Sequence, residues 1–252
     1  MDFLARLGDS PPLLVLVAAL VAGTVRGYTG FGSAMIFMPV AGAYLGPKTA
    51  IGIMWIIDGT LQLAMVRSTW KHARWSEIGP LFMGYVVGLP LGVYVLMTFD
   101  PGPIRWVTSI SIVVALAMLL TAKRVETSPG LPATVATGAA SGLISGIASL
   151  GGMVLSLFWL AGPSRNEAVR GSSVAFFVPA SLLSGALLAI AGIFNLEVLR
   201  IAAWAILPYG VGIGLGSLLF SHADARLFRP VAFAVIAAAA LTSLPVLDAW
   251  LR

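Results

Sequence analysis

Apolar runs of 17 to 24 residues recur along this chain from one end to the other. A helix needs about 20 residues to cross the hydrocarbon core of a bilayer, so these runs are typical of membrane spans. Hydrophobic residues make up 59% of the chain and charged residues only 10%, which is more apolar surface than a soluble domain of this size could bury. The sequence therefore predicts an all-α integral membrane protein whose surplus apolar side chains face lipid.

Six of these runs have the length of a single crossing. They cover residues 50–66, 78–99, 106–122, 171–194, 201–220 and 230–250. Tryptophans lie mostly near the ends of such runs, a position typical of anchors at the membrane interface: Trp55, Trp70, Trp75, Trp106 and Trp250. We predict six single-spanning helices with these tryptophans at the interface.

Two further apolar regions are too long for one crossing. Residues 11–46 and 132–163 comprise 36 and 32 residues. As continuous helices they would measure roughly 54 and 48 Å at about 1.5 Å per residue, against a hydrocarbon core of about 30 Å. Each contains a central glycine cluster, GYTGFGS at 27–33 and SGIASLGG at 145–152. Because glycine destabilises helices, the clusters predict two helix breaks.

The sequence around the two glycine regions repeats after about 120 residues. Residues 47–52 correspond to 166–171, and residues 89–92 (LPLG) correspond to 207–210 (LPYG). We interpret this as an internal duplication into two homologous halves, residues 1–125 and 126–252, that together form one transmembrane domain. Each half then contains one glycine-broken segment and three transmembrane helices.

Basic residues outside the membrane bear on whether each glycine segment crosses the bilayer or turns back. If both segments cross, the two sides hold eight and six basic residues; if both are re-entrant hairpins, they hold nine and five. The second distribution agrees better with the positive-inside rule. It also relates the halves by inversion, as in many secondary transporters, while crossing segments stay open as the alternative.

Composition excludes several kinds of chemistry. There is no cysteine, which excludes disulfides, thiolate metal sites and cysteine nucleophiles, and His72 and His222 both fall between spans. The basic residues behind the net charge of +5 are scattered, so nucleic acid is not an expected partner. No phosphate-binding P-loop is present. We expect no cofactor and no metal, and a membrane-embedded enzyme is the least favoured class because only Arg26 and Asp58 carry charge at membrane depth.

Arg26 and Asp58 lie inside otherwise apolar runs. Such residues are costly in a bilayer unless they face protein, water or a counter-ion. Arg26 could neutralise an anionic substrate or, alternatively, snorkel to an interface or form a structural ion pair. We interpret Asp58 as a partner that positions Arg26, and direct proton coupling and a purely structural role stay open.

The paired glycine clusters form a candidate anion site. If short helices begin near Ser33 and Met153, their positive amino-terminal ends converge. The candidate substrate-binding residues supply a guanidinium, backbone amides and hydroxyls: Arg26, Tyr28, Thr29, Gly30, Gly32, Ser33, Ser145, Ser149, Gly151, Gly152 and Ser172. The alternatives are that small residues only permit close helix packing and that Ser172 caps a helix.

At these residues the chain resembles the sulfite exporter TauE/SafE family, also called the toluenesulfonate uptake permease family. The resemblance rests on residues 26–39 (RGYTGFGSAMIFMP), on their second copy at 145–160, on the loops of Lys48 and Arg170, and on residues 75–92 ending GLPLG. It implies a membrane transporter that moves sulfite, sulfonates or related anions by a secondary mechanism. One departure is that Pro39 of the first copy corresponds to Trp159 in the second.

The sequence thus predicts a multi-pass secondary transporter of a small anion, located in the cell inner membrane. Its expected partners are the anionic substrate and the lipid bilayer, and small-residue motifs permit a homodimer without requiring one. An anion channel or a non-transporting membrane scaffold remains the alternative. The choice of anion, the direction of transport and the coupling ion are not specified by the sequence.

Overall fold

The computed structural model describes residues 12–29, 32–64, 74–121, 130–161, 166–222, 234 and 236–240. These residues form helices joined by short links, and residues 236–240 are also helical. The longer helices are α1 (Leu13–Thr29), α2 (Ser33–Leu45), α3 (Pro47–Ala64), α4 (Trp75–Thr98), α5 (Pro101–Thr121), α6 (Leu131–Ala148), α7 (Gly151–Ala161), α8 (Asn166–Ile190) and α9 (Leu196–His222).

Within the described residues, four stretches are long and apolar enough to cross a membrane: Trp75–Thr98, Pro101–Met118, Leu131–Ala148 and Leu196–Leu219. Three of them, in α4, α5 and α9, correspond to predicted spans. The fourth, α6, was predicted only as part of a longer broken region, and the structure shows that it reaches spanning length alone. The prediction of a helical membrane protein is confirmed, whereas the predicted span at 230–250 lies largely outside the described residues.

Both predicted helix breaks are present. Helix α1 ends at Thr29 and α2 begins at Ser33, whereas α6 ends at Ala148 and α7 begins at Gly151. Among the residues that the structure describes, one at each break adopts a left-handed backbone conformation, which ends or redirects a helix. Gly32 has φ 90° and Ser149 has φ 56°.

Glycines bring the backbones of α4 and α6 into direct contact. Gly84, Gly88 and Gly92 of α4 face α6, and a Cβ atom at any of them would overlap a carbonyl oxygen of α6. Gly138 and its successors Gly142 and Gly146 face α4 in the same way. Residue numbers rise together along the two helices, so α4 and α6 run parallel. Such close approach is a typical use of small residues between membrane helices.

Helices α1 and α9 form a second pair of this kind. Gly23 and Gly27 of α1 pack against the backbone of α9 near Tyr209 and Ile213, and Gly216 of α9 packs against α1 near Thr24 and Tyr28. This pair is also parallel, since residue numbers rise together.

Helix α3 packs against both α8 and α9. Gly52 near its beginning lies beside Ile193, just after α8, whereas Gly59 lies beside Ser181 within α8. The residue numbers therefore fall along α8 as they rise along α3. Helices α3 and α8 run antiparallel.

Contacts with α9 give the direction of α3 relative to α1. Gly52 touches Val198 at the beginning of α9, and Asp58 contacts Tyr209 further along it, so α3 and α9 run in the same direction. Because α9 is parallel to α1, α3 is also parallel to α1. Helix α2, which joins α3 through the single residue Gly46, therefore runs back between them.

Aromatic rings hold α4, α7 and α8 together beside the second break. Phe176 of α8 packs edge-on against three rings of α4 and α7, with centroid distances of 5.3 Å to Tyr85, 5.9 Å to Phe82 and 6.2 Å to Trp159. Edge-to-face pairs of this kind each stabilise by about 0.5–1.5 kcal/mol beyond burial. They hold Tyr85 against the middle part of α8.

Candidate functional site

The two helix breaks open onto one cavity of about 110 Å³ that lies among several helices. A single water needs roughly 10–15 Å³ of such space, so the cavity has room for a molecule of several heavy atoms. Helices α1, α2, α3, α4, α6, α7 and α8 contribute to its wall: Arg26, Gly32, Ser33, Ala34, Met35, Met54, Trp55, Asp58, Gly59, Tyr85, Ser145, Ser149, Leu150, Gly152, Met153, Phe177, Ala180, Ser181 and Ser184. Arg26 and Asp58 are the charged side chains among these described lining residues.

Arg26 and Asp58 meet at one side of the cavity. Arg26 Nε lies 3.2 Å from Asp58 Oδ1, and the two side chains are 17% and 16% exposed. The hydroxyl of Tyr209 on α9 donates a hydrogen bond of 2.5 Å to the same carboxylate oxygen. Tyr209 is fully buried. One carboxylate oxygen of α3 thus connects α3 to both members of the α1–α9 pair.

The amino-terminal ends of α2 and α7 both line the cavity. Gly32, Ser33 and Ala34 line it at the start of α2, and Gly152 and Met153 line it at the start of α7. First-turn amides of a helix have no intrahelical acceptor, and the aligned peptide dipoles place about half a positive charge at each amino terminus. The two breaks therefore direct positive potential into one space.

Another part of the cavity wall is neutral and rich in hydroxyls. Tyr85 Oη lies 3.0 Å from Ser145 Oγ, and the Ser184 side chain also approaches Tyr85. Trp55 donates its Nε1–H to Ser181 O at 3.0 Å and to Ser184 Oγ at 3.2 Å. These hydroxyls can donate or accept hydrogen bonds, so this wall can contact a polar group of either kind.

Ser149 stands in a strained conformation at the second break. Its φ of 56° is in the left-handed region, which costs a residue with a Cβ roughly 1–2 kcal/mol. The corresponding turn before α2 uses Gly32, which adopts this region at no such cost. Retention of a side chain at Ser149, which lines the cavity, is consistent with a use for its hydroxyl.

Seven of the residues predicted to act in the site line the cavity: Arg26, Gly32, Ser33, Asp58, Ser145, Ser149 and Gly152. Four others occupy different places. Thr29 donates to Val25 O within α1, and Tyr28 lies at the α1–α9 contact.

Gly151 and Ser172 are also absent from the cavity wall. The Gly151 carbonyl accepts the Ser141 hydroxyl at 2.9 Å, and Ser172 Oγ accepts the Arg74 N–H at 3.0 Å. Gly30, the remaining predicted residue, lies outside the described residues.

Sequence reasoning missed several polar side chains of the site. Tyr85 and Tyr209 are tyrosines in the middle of apolar spans, where a hydroxyl needs a partner, and this signal could have identified them. Ser181 and Ser184 lie one turn apart on one face of α8 and could have been found in the same way. The prediction that Trp55 anchors the membrane interface is wrong, because its ring is half-buried and its N–H bonds to α8 inside the molecule.

A comparison with protein families assigns the chain. The model described as "Sulfite exporter TauE/SafE" matches residues 15–243, which is nearly the whole chain. The chain belongs to the sulfite exporter TauE/SafE family. Comparison with curated proteins and with solved structures gives no match.

Membership in the TauE/SafE family confirms the resemblance seen in the sequence. The family consists of membrane permeases or exporters of sulfur anions and not of enzymes. The apolar helices of the structure agree with a membrane protein.

Proposed function

We propose that the protein is a secondary transporter in the cell inner membrane that binds a small sulfur oxyanion or sulfonate in the central cavity. The observation that carries this proposal is the convergence of Arg26 with the amino termini of α2 and α7 on one space. All three features favour negative charge, and a guanidinium matches the oxygen geometry of an oxyanion.

The rest of the cavity wall could contact an apolar part of a substrate as well as its charged group. Met35, Met54, Met153 and Phe177 provide apolar surface in the same cavity. A sulfonate has a charged head and a carbon body, so its head could meet Arg26 while its body contacts these side chains. Sulfite has no carbon body, so it would bind at Arg26 without these apolar contacts.

The packing of the helices supports the proposal that the two halves are homologous and that each glycine segment is re-entrant. In each half the helix before the glycine break pairs, parallel and backbone to backbone, with a glycine-bearing span of the other half: α1 with α9 and α6 with α4. Helix α2 runs back between α1 and α3, and α2 and α7 have only 13 and 11 residues. Helices of roughly 20 and 17 Å at 1.5 Å per residue are short for a full crossing of about 30 Å.

A thermal-stability experiment tests the proposed site. A ligand at 100 times its Kd stabilises the folded state by about 2.7 kcal/mol, which for a chain of this size raises the melting temperature by about 5–10 °C. We expect such a shift in detergent for at least one of sulfite, thiosulfate, sulfoacetate and benzenesulfonate. Arg26→Lys should reduce it strongly, because lysine keeps the charge but loses the planar donor set.

Arg74→Lys is the matched control. Arg74 forms an exposed ion pair with Glu77 at 2.9 Å, away from the cavity, and exposed pairs contribute little, so this variant should respond to the anion as the wild type does. An equal loss of the shift in both variants, or no shift for any anion in the wild type, would contradict the proposed site. Saturable uptake or efflux in proteoliposomes would separate a transporter from a channel or a scaffold.

A further inference from the structure

The guanidinium proposed to bind the substrate is already engaged by a carboxylate of the protein. Arg26 Nε and the Tyr209 hydroxyl both point at Asp58 Oδ1, at 3.2 and 2.5 Å. A carboxylate offers the same kind of acceptor oxygen to a guanidinium as a sulfonate or sulfite does. In this conformation Asp58 occupies the Nε donor of Arg26, so an anion that binds this donor must displace the carboxylate.

The charges in the cavity disfavour simultaneous contact of Arg26 with Asp58 and with an anion. Arg26 and Asp58 cancel each other, and they are the charged side chains among the described lining residues. An anion that entered while Asp58 stayed on Arg26 would add a second negative charge within a few ångströms of the first, beside side chains that are mostly buried and therefore weakly screened by solvent. The anion and Asp58 therefore compete for Arg26.

We propose that Asp58 is an internal competitor for the anion site, which the substrate displaces from Arg26, and that Tyr209 is the positioning residue that retains the displaced carboxylate. This inference rests on the proposed function. Competition lowers the affinity of the anion, which a transporter needs in order to release its substrate. Displacement of Asp58 also breaks a contact between two helices, because Asp58 connects α3 to α1 through Arg26. Anion binding would therefore alter the packing of α3 against α1.

Tyr209 is suited to retaining Asp58. Its ring is fully buried on α9, and its hydroxyl, which also lies near Ser33, donates to the same carboxylate oxygen that Arg26 contacts. Once an anion has taken Arg26, Tyr209 is the remaining one of these two donors to Oδ1. Its hydroxyl therefore matters more in the anion-bound state than in the free state.

Two variants of this contact should change anion affinity in opposite directions. Asp58→Asn removes the competing charge but keeps an oxygen that can accept the Tyr209 hydroxyl, so we expect Kd to fall by roughly tenfold. Tyr209→Phe removes the retaining hydroxyl, so Kd should rise by roughly three- to tenfold. Titration of sulfite, thiosulfate, sulfoacetate and benzenesulfonate into detergent-purified protein, followed by calorimetry and melting temperature, measures both.

Asp100→Asn and Tyr94→Phe are the matched controls, because both side chains are exposed outside the cavity. Neither should change Kd. The gain in Asp58→Asn should also disappear when Arg26→Ala is added, since a double-mutant cycle attributes it to that contact.

The possible outcomes separate this inference from the function it rests on. Weaker binding in both Asp58→Asn and Tyr209→Phe would assign the contact a purely structural role and overturn the inference while leaving the anion site intact. If none of the four anions binds the wild type or either variant, both proposals fail. If Asp58→Asn does not fold, unchanged affinity in a folded Tyr209→Phe overturns the inference, and weakened affinity supports it.

Discussion

Three glycines of α9 test whether the close helix pairs hold this protein together. Gly212 and Gly216 face α1, and an added Cβ would overlap Leu20 O and Thr24 O, with the backbone nitrogens of Thr24 and Tyr28 at 2.9 and 2.8 Å. Carbon contacts with backbone polar atoms normally lie near 3.3–3.6 Å. Alanine at either position therefore forces the two helices apart by at least about half an ångström.

The expected cost follows from two opposing effects. Overpacking against rigid backbone lowers the free energy of unfolding by up to about 3 kcal/mol, whereas the higher helix propensity of alanine raises it by about 1 kcal/mol. The expected net loss is about 2 kcal/mol. For a chain of this size the melting temperature should fall by about 4–8 °C. The assay is thermal unfolding of Gly212→Ala and Gly216→Ala in detergent.

Gly214 supplies the control within the same helix. It lies between the other two on the opposite face, and no atom lies within 4 Å of its added Cβ. Gly214→Ala should keep or raise the melting temperature, because it gains helix propensity without a clash. If all three variants melt together, the backbone contact of α1 with α9 does not contribute as the structure indicates.

Two further predictions concern the membrane topology and the contact between α3 and α8. The chain has no cysteine, so single cysteines at Lys48 and Asn195 can be labelled without background; re-entrant segments place them on one side of the membrane and Arg74→Cys on the other. Labelling of Lys48→Cys and Asn195→Cys from opposite sides would favour crossing segments. Trp55→Phe should lower the free energy of unfolding by about 1–2 kcal/mol, because it leaves two acceptors on α8 without this donor. The control is Trp75→Phe, at a half-exposed ring, which should change the free energy of unfolding by no more than about 0.5 kcal/mol. Equal melting temperatures for the two tryptophan variants would contradict that role.

The sequence was sufficient for features that depend on local composition. A run of apolar residues longer than a bilayer crossing must break or protrude, and glycine marks where a helix breaks at least cost. The breaks before Ser33 and Gly151 were predictable for this reason. The membrane class and the spans in α4, α5 and α9 followed from length and hydropathy alone.

The roles of individual glycines needed the tertiary structure. Sequence reasoning grouped Gly27 and Gly146 with the anion site, and also named close packing as the alternative. In the structure Gly27 and Gly146 pack against α9 and α4, whereas Gly32 and Gly152 line the cavity. A glycine that admits a neighbouring backbone and one that admits a ligand look the same in sequence, because both roles only require the absence of a side chain.

The pairing of Arg26 with Asp58 could be expected from two charges in apolar runs, since each needs a partner in the membrane. Tyr209 could not be placed on the same oxygen, because it lies 151 residues from Asp58 in the chain and its position depends on how α9 packs against α1 and α3. The sequence by itself determined that this is a helical membrane protein with two glycine breaks, because hydropathy and helix propensity act over neighbouring residues. Only the tertiary structure decided which side chains share the cavity, because contacts between distant helices depend on packing that no local pattern records.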